Sequence, residues 1–334
     1  MTSLALCGAG TIAGVHALAA REVGASVAVV ASRTRQRAEH LATSARASAV
    51  EYDELPAGAD VVIVATPPSE HATHVIRALA AGATVLVEKP LCRTLDEADR
   101  LVSADGADRI VYAENLAFAP AVAEFLTRVR TLGPLTHLEL RTLQSRPTWG
   151  DFLDPSWGGG ALFDLGVHPL ALAVLVARSS GNGEVVAARA VLDGDTTDTH
   201  ADVTLSFASG LQARVISSWD GPESGVWDVQ ASSRTAVLRL DLRPSVAMEF
   251  NGEPVRLPSP SASIGVLEEF GYVDQLRSVI ALNSEGRRSI MDVKFGRWML
   301  EVVSSCYISA RTGEAVTVPS GCDRSQTPWE LWRG

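Results

Sequence analysis

Lysine is almost missing from this chain of 334 residues: of 29 basic side chains only Lys89 and Lys294 are lysine, and 27 are arginine. A guanidinium stays charged and planar, whereas a partly desolvated ammonium can shift its pKa and exchange a proton. A chain that uses arginine almost everywhere yet keeps Lys89 at the end of the apolar run Val85-Leu86-Val87 points to chemistry at that strand end. Cysteine is also scarce. Cys7, Cys92, Cys306 and Cys322 are scattered and form no C-x-x-C pair, so no zinc cluster or disulfide framework is indicated, and a reducing cytoplasm is the expected compartment. No apolar run approaches the ~20 residues of a membrane span, so no membrane partner is expected. No charged leader or cleavage site precedes the first apolar run, Leu4–Cys7, which speaks against export. Positive charge is in deficit as well: the net charge is -10, and nucleic acid, which needs a basic face, is excluded as a partner.

What is present is a hydrophobic content of 46% over a length sufficient for two domains. In the first half, short apolar runs alternate with amphipathic stretches. Leu4–Cys7, Ser26–Ala31, Val61–Ala65 and Thr84–Val87 read as strands, and Ile12–Val23, Thr34–Thr43 and Glu70–Ala81 as helices. That alternation predicts an α/β domain with a parallel sheet covered on both faces, which binds ligands beyond the carboxyl ends of its strands. Past residue 118 the pattern changes. Helical stretches at Pro120–Leu132 and Ala161–Arg178 flank a Trp- and Pro-rich loop, and period-two alternation follows, as in Asp202–Phe207, with hairpin turns at Ser209-Gly210 and Asn251-Gly252. A mostly antiparallel sheet is expected there, closed by helices at Val266–Leu282 and Phe295–Ala310.

The segment Gly8-Ala9-Gly10-Thr11-Ile12-Ala13-Gly14 follows the first strand and opens the first helix. Gly8 permits a tight turn, Gly10 lets backbone approach a pyrophosphate, and Ala13 allows close helix–strand packing, so this turn predicts dinucleotide binding. A NAD-preferring site would place an acid at the end of the second strand. Here the strand closes as Ala31-Ser32-Arg33-Thr34 with no acid, and Ser32 and Arg33, with Arg37 one helical turn on, can hydrogen-bond a 2′-phosphate. NADP is favoured over NAD. His71 and His74 have no third ligand nearby in sequence, and no metal is expected.

These motifs resemble the Gfo/Idh/MocA oxidoreductases, the glucose-fructose oxidoreductase and inositol dehydrogenase family. The glycine turn through His16 looks like that family's dinucleotide turn, and Thr66-Pro67-Pro68-Ser69-Glu70-His71 like its third cofactor loop. Val87-Glu88-Lys89-Pro90-Leu91 matches its EKP signature. Gly158-Gly159-Gly160-Ala161-Leu162-Phe163-Asp164-Leu165-Gly166-Val167-His168-Pro169 matches its second-domain signature, and Ser309–Pro319 its closing motif. The resemblance implies a doubly wound Rossmann domain over 1–117, then an α/β domain over 118–334 that binds substrate through a large, mostly antiparallel sheet and assembles a homodimer or homotetramer. It implies hydride transfer between a nicotinamide and a carbinol carbon of a sugar, nucleotide-linked keto-sugar or cyclitol. Lys89, Asp164 and His168 carry over as the catalytic group. The cofactor-binding set comprises Gly8, Gly10, Thr11, Ile12, Ala13, Ser32, Arg33, Thr34, Arg37, Thr66, Pro67, Pro68, His71, Glu88, Lys89 and Asn115.

The chemistry of these residues agrees with those roles. His168 is the natural acid/base near neutral pH, Lys89 can hydrogen-bond a reacting oxygen, and Asp164, four residues before His168, would share its helical face and orient it or the substrate. Pro169 removes a backbone donor, so the helix must be kinked or only starting near His168. Gln144, Arg146, Trp149, Phe152 and Trp157 are candidates for shaping the substrate pocket, the aromatics serving either to stack on a sugar or to pack between domains. Ala171 and Leu116-Ala117 are less polar than the family pattern and imply a substrate less polar than a free hexose. Two other functions fit this framework: a redox-neutral elimination through transient oxidation with tightly bound cofactor, and a non-catalytic ligand sensor.

Overall fold

The computed structural model describes every residue except Met1, Ala57 and Trp149. In chain order it runs β1 (Ser3–Cys7), α1 (Thr11–Glu22), β2 (Ser26–Ala31), α2 (Arg35–Ala45), β3 (Ser48–Val50), β4 (Val61–Val64), α3 (Pro68–Ala80), β5 (Thr84–Glu88), α4 (Leu95–Val102) and β6 (Ile110–Ala113). There follow α5 (Pro120–Leu132), β7 (His137–Leu143), α6 (Ala161–Asp164), α7 (Val167–Ser179), β8 (Val185–Asp193), β9 (His200–Phe207) and β10 (Gln212–Ser218). The remainder is β11 (Val226–Ser232), β12 (Val237–Arg243), β13 (Ala247–Phe250), β14 (Glu253–Pro254), α8 (Gly265–Glu269), α9 (Tyr272–Glu285), α10 (Val293–Thr312), β15 (Val316–Thr317) and α11 (Pro328–Arg333).

Two compact units result. The first comprises residues 1–92, 96–119 and 260–297, and the second residues 93–95, 120–259 and 298–334. The contiguous division at 117/118 is therefore interrupted, because α8 and α9 turn back onto the first unit. There the ring of Tyr272 meets that of His16 edge-on at 5.9 Å, and the carbonyl of Phe270 accepts a hydrogen bond from Asn115. Helical periodicity reveals an apolar face but not which unit covers it.

The first unit is built on a six-stranded parallel sheet in the order β3-β2-β1-β4-β5-β6. Strands β4, β5 and β6 are buried along their whole length, which is why β4 and β5 read as apolar runs rather than as alternation. Strand order reverses between β1 and β4, and the crevice beyond the carboxyl ends of those two strands is where such sheets bind ligands.

The second unit is a nine-stranded sheet in the order β14-β13-β12-β11-β7-β10-β9-β8-β15, in which only the β7–β10 pair is parallel. Along β9 buried and half-buried residues alternate strictly, as period-two patterning predicts. The more exposed face carries arginine–carboxylate pairs, Arg141 with Asp228 and Arg214 with Asp202, and also exposes Val191 beside Asp202. Helix α7 is apolar nearly all round and buried over most of its length.

The helix expected over Ala161–Arg178 is broken. Helix α6 stops at Asp164, α7 starts at Val167, and the helical stretch Pro155–Asp164 meets α7 at a bend of 47°. Pro169 is thereby the third residue of α7, in the first turn, where a missing N–H costs nothing. Asp164 ends a four-residue helix and His168 lies in the first turn of a separate 13-residue one, so the two do not share one face of a single helix.

Candidate active site

At the switch point of the first unit, the glycines of the β1–α1 turn answer different demands. Gly8 has φ +115, and a Cβ there would lie 2.3 Å from the carbonyl oxygen of Ala65, so packing of the β1 end against the β4 end requires glycine. Gly10 is extended, at φ -84 and ψ -174, and a Cβ there would meet nothing within 4 Å. No neighbour in the chain demands glycine at this position; a ligand lying against the turn would. The N-terminus of α1 carries no side-chain cap, which leaves first-turn N–H groups for such a ligand, and Ala13 is fully buried beneath it. At the β4 end the Thr66 hydroxyl is buried without a hydrogen-bond partner among the described residues. An open glycine, an uncapped helix start and an orphaned hydroxyl fit a dinucleotide pyrophosphate. Thr11 is exposed and Ile12 half-buried at the same turn, while Pro67 is half-buried and Pro68 opens α3.

Beyond β2, Ser32 Oγ accepts a hydrogen bond from the Thr34 N–H at 3.3 Å. Arg33 reaches Glu70 at 3.4 Å with 76% of its side chain exposed, and Arg37 is exposed in the first turn of α2. An ion pair so exposed is worth little and is readily exchanged for another anion.

His71 has no accessible surface; its Nε2 faces the carbonyl of Thr66 at 2.8 Å and its Nδ1 those of Pro90 and Leu91 at 3.1 and 3.2 Å. Burial lowers its pKa, against the pull of those carbonyls. It ties the Thr66 loop to the Lys89 loop and does not present its ring to a cofactor, a correction to its expected place in the binding set. Glu88 is likewise inward: one carboxylate oxygen meets His16 Nε2 at 2.8 Å and the other accepts the Lys89 N–H at 3.1 Å. Lys89 itself is half-buried at the carboxyl end of β5, next but one to β1 in the sheet. Asn115 is buried, its Nδ2 donating to Phe270 at 2.7 Å. Leu116, Ala117 and Ala171 are buried too, so their apolar character is accounted for by packing within their units.

In the second unit the triple glycine is held by a carboxylate 38 residues on. Asp198 Oδ1 accepts from the Gly160 N–H at 2.9 Å, its Oδ2 from the Leu162 N–H at 2.7 Å, and its backbone carbonyl from the Ala161 N–H at 2.7 Å. A distant side chain thus supplies the cap that the glycine at the start of α6 cannot. Tyr307 Oη donates to Asp198 Oδ1 at 2.5 Å and accepts from Gly160 at 3.1 Å. Burial raises the pKa of Asp198, with the N–H and hydroxyl donors opposing, and raises that of Tyr307 far above its usual range. A Cβ at Gly160 would sit 2.1 Å from the Asp198 carbonyl oxygen, and one at Gly159 would sit 2.4 Å from Cβ of Phe163. Helix α11 adds a further clamp: Trp329 donates its N–H to Gly158 and its indole N–H to Thr196, each at 2.8 Å.

This clasp sets Asp164, 9% exposed, and His168, 6% exposed, at the junction of α6 and α7. The His168 ring lies 5.8 Å from that of Trp227, tilted by 33°, and Arg243 lies over the same indole. Phe152 and Trp157 pack against each other at 4.8 Å, and with Trp219, Ala161 and Leu165 form an aromatic cluster against α6. Packing against α6 therefore accounts for those two aromatics. Gln144 is half-buried, paired through its backbone with Ser218 and Gly221, Arg146 is exposed, and Trp149 lies outside the described residues. Asp198 and Tyr307 are residues that sequence reasoning passed over, and His16 was read only as the end of the dinucleotide turn. Replacing Tyr307 with phenylalanine strips a donor from a buried carboxylate and should cost about 1–3 kcal/mol, read as a melting temperature lowered by about 2–4 °C per kcal/mol. An unchanged melting point would show the clasp to be idle.

A dinucleotide turn at the switch point of a parallel sheet, joined to a mixed-sheet unit with a clasped glycine turn, defines a nicotinamide-dependent oxidoreductase of two units. Models of one family match both parts, the oxidoreductase family with NAD-binding Rossmann fold over residues 2–113 and the GFO/IDH/MocA C-terminal domain over 125–236. The chain belongs to the Gfo/Idh/MocA family and is an NAD(P)-dependent oxidoreductase acting on CH–OH groups. Among its relatives, dTDP-3,4-didehydro-2,6-dideoxy-alpha-D-glucose 3-reductase of Streptomyces violaceoruber is 35% identical over 221 residues, 63% of this chain and 64% of that protein. D-xylose 1-dehydrogenase (NADP(+)) 2 of Haloferax volcanii is 27% identical over 306 residues, 86% and 91% of the two chains. The solved structure of GenD2 from gentamicin A biosynthesis in complex with NAD matches the fold with a TM-score of 0.82 at 24% identity, covering 95% of this chain and 96% of that one.

Proposed function

We propose that this chain transfers a hydride between NADP and a carbinol or ketone carbon of a sugar, nucleotide-linked keto-sugar or cyclitol. The observation that carries the reading is the half-buried Lys89 at the carboxyl end of β5, in the same unit as the open Gly10 turn. The bound nicotinamide supplies the hydride acceptor or donor. Lys89 hydrogen-bonds the reacting oxygen and stabilises its developing alkoxide character, His168 takes the hydroxyl proton during oxidation or returns it during reduction, and Asp164 orients its neighbours. The names of the Streptomyces and Haloferax relatives support a sugar or nucleotide-sugar substrate. The arginine–carboxylate face of the large sheet is the surface through which we expect a homodimer or homotetramer to form, and a cytoplasmic location accords with four cysteines that are all free. Difference absorbance at the nicotinamide band, screened against keto-sugars, polyols and nucleotide sugars with both cofactors, tests the reading. No turnover with any carbohydrate would overturn it.

The choice of NADP rests on Ala31 where an acid would bind a ribose hydroxyl, and on Arg33, whose exposed pairing with Glu70 gives way readily to a 2′-phosphate. Arg33→Ala should weaken NADP by about ten- to a hundredfold and leave NAD nearly unchanged, as loss of a charge-assisted hydrogen bond predicts. Titration of the reduced forms, NADPH and NADH, by nicotinamide fluorescence checks this. Equal losses would remove Arg33 from the 2′-phosphate site.

A further inference from the structure

The pair formed by His16 and Glu88 joins the helix of the dinucleotide turn to the peptide of Lys89. His16 projects from α1 six residues after Gly10 and has no accessible surface. Its Nε2 meets one oxygen of Glu88 at 2.8 Å, and its Nδ1 finds no hydrogen-bond partner among the described residues. The single hydrogen bond of this buried ring is therefore spent on Glu88, while its edge packs on Tyr272 at 5.9 Å. The other Glu88 oxygen accepts the Lys89 N–H at 3.1 Å. Burial acts to raise the pKa of Glu88, but the hydrogen bond and charge of His16, with the Lys89 ammonium and N–H, hold it below the ordinary carboxylate range. A charged carboxylate kept in the interior is worth its desolvation only where each oxygen has a partner of this kind.

We propose that His16 and Glu88 are positioning residues for Lys89: the carboxylate fixes the Lys89 peptide and the field at its ammonium, and His16 fixes the carboxylate against α1. The inference rests on the reading that Lys89 acts on the reacting oxygen. A pair that merely stabilised the fold would lower turnover by the same factor whatever stood at position 89. A pair acting through the ammonium has nothing left to position once that group is gone.

The test is a cycle of variants on the full chain: His16→Phe, His16→Gln and Glu88→Gln, each alone and combined with Lys89→Met. Turnover is measured with NADP and whichever carbohydrate reacts in the absorbance screen, alongside NADPH affinity by fluorescence and the melting temperature. His16→Phe and Glu88→Gln alone should lower kcat by about ten- to a hundredfold, the scale of a small misplacement of a catalytic group. His16→Gln, which keeps a donor at similar reach, should recover most of the loss. In the Lys89→Met background the same changes should alter kcat by less than about twofold, as expected for residues acting as one unit.

Because the chain has only two lysines, acylation of Lys89 can be read against Lys294 in the cofactor-free protein. Glu88→Gln removes a negative charge beside Lys89 and should make it label faster at a fixed mildly alkaline pH. Equal fold losses in both backgrounds, or Lys89 labelling unchanged in Glu88→Gln, would overturn the positioning role. Wild-type turnover by Lys89→Met would instead overturn the reading of Lys89 itself, a separate and recognisable failure.

Discussion

Lys89→Met and Lys89→Arg should both lose at least about a hundredfold in kcat, the scale seen when a hydrogen-bond donor to a developing oxyanion is removed. Methionine keeps approximate length and loses charge and donors. Arginine keeps the charge but brings a planar fork that cannot deprotonate, and a half-buried position at the end of β5 leaves little room for it. Were Lys89 there only to balance Glu88, arginine would serve nearly as well, because that carboxylate already has His16 as a partner. Cofactor affinity and melting temperature should change little in either variant, since the Gly10 turn and the Thr66 loop are made by other residues. Measuring the three quantities on the same two proteins separates the roles. A fully active Lys89→Arg enzyme would end the catalytic reading.

His168→Ala should lower kcat by about 10²–10⁴ with NADP affinity nearly unchanged, because proton transfer is lost while the dinucleotide turn belongs to the other unit. The ring is buried beside Trp227, so truncation also opens space and should lower the melting temperature modestly. His168→Gln, which keeps more of the volume but cannot cycle a proton near neutral pH, should recover stability without recovering turnover. Near wild-type turnover in either variant would leave His168 as packing for the indole.

Local features were legible in the sequence. The β1–α1 turn, the run ending at Lys89 and the alternation of β9 each depend on a few neighbouring residues, and the parallel and mostly antiparallel sheets follow from them. Two strands were not: β3 has three residues, too few for a period to show, and β6 was passed over although it is as long and as apolar as β4. The break between α6 and α7 was visible only as the awkward Pro169, because a tetrapeptide helix has no periodicity of its own. Asp198 lies in the polar stretch Asp195–Thr199, which reads as an ordinary surface loop, and its partners at Gly160 and Tyr307 are 38 and 109 residues away. His16 could be read as part of a motif, but its bond to Glu88 spans 72 residues and depends on how far α1 lies from β5.

The return of residues 260–297 to the first unit has a consequence for synthesis of the chain. Tyr272, which covers the His16 ring, and Phe270, which holds Asn115, emerge from the ribosome only after all of residues 120–259. At about 5–20 residues per second that interval is on the order of 7–28 s, during which the nascent dinucleotide-binding unit has an uncovered flank on α1. Completion of that unit therefore waits on translation of most of the other, so the two mature nearly together although one begins at the amino terminus.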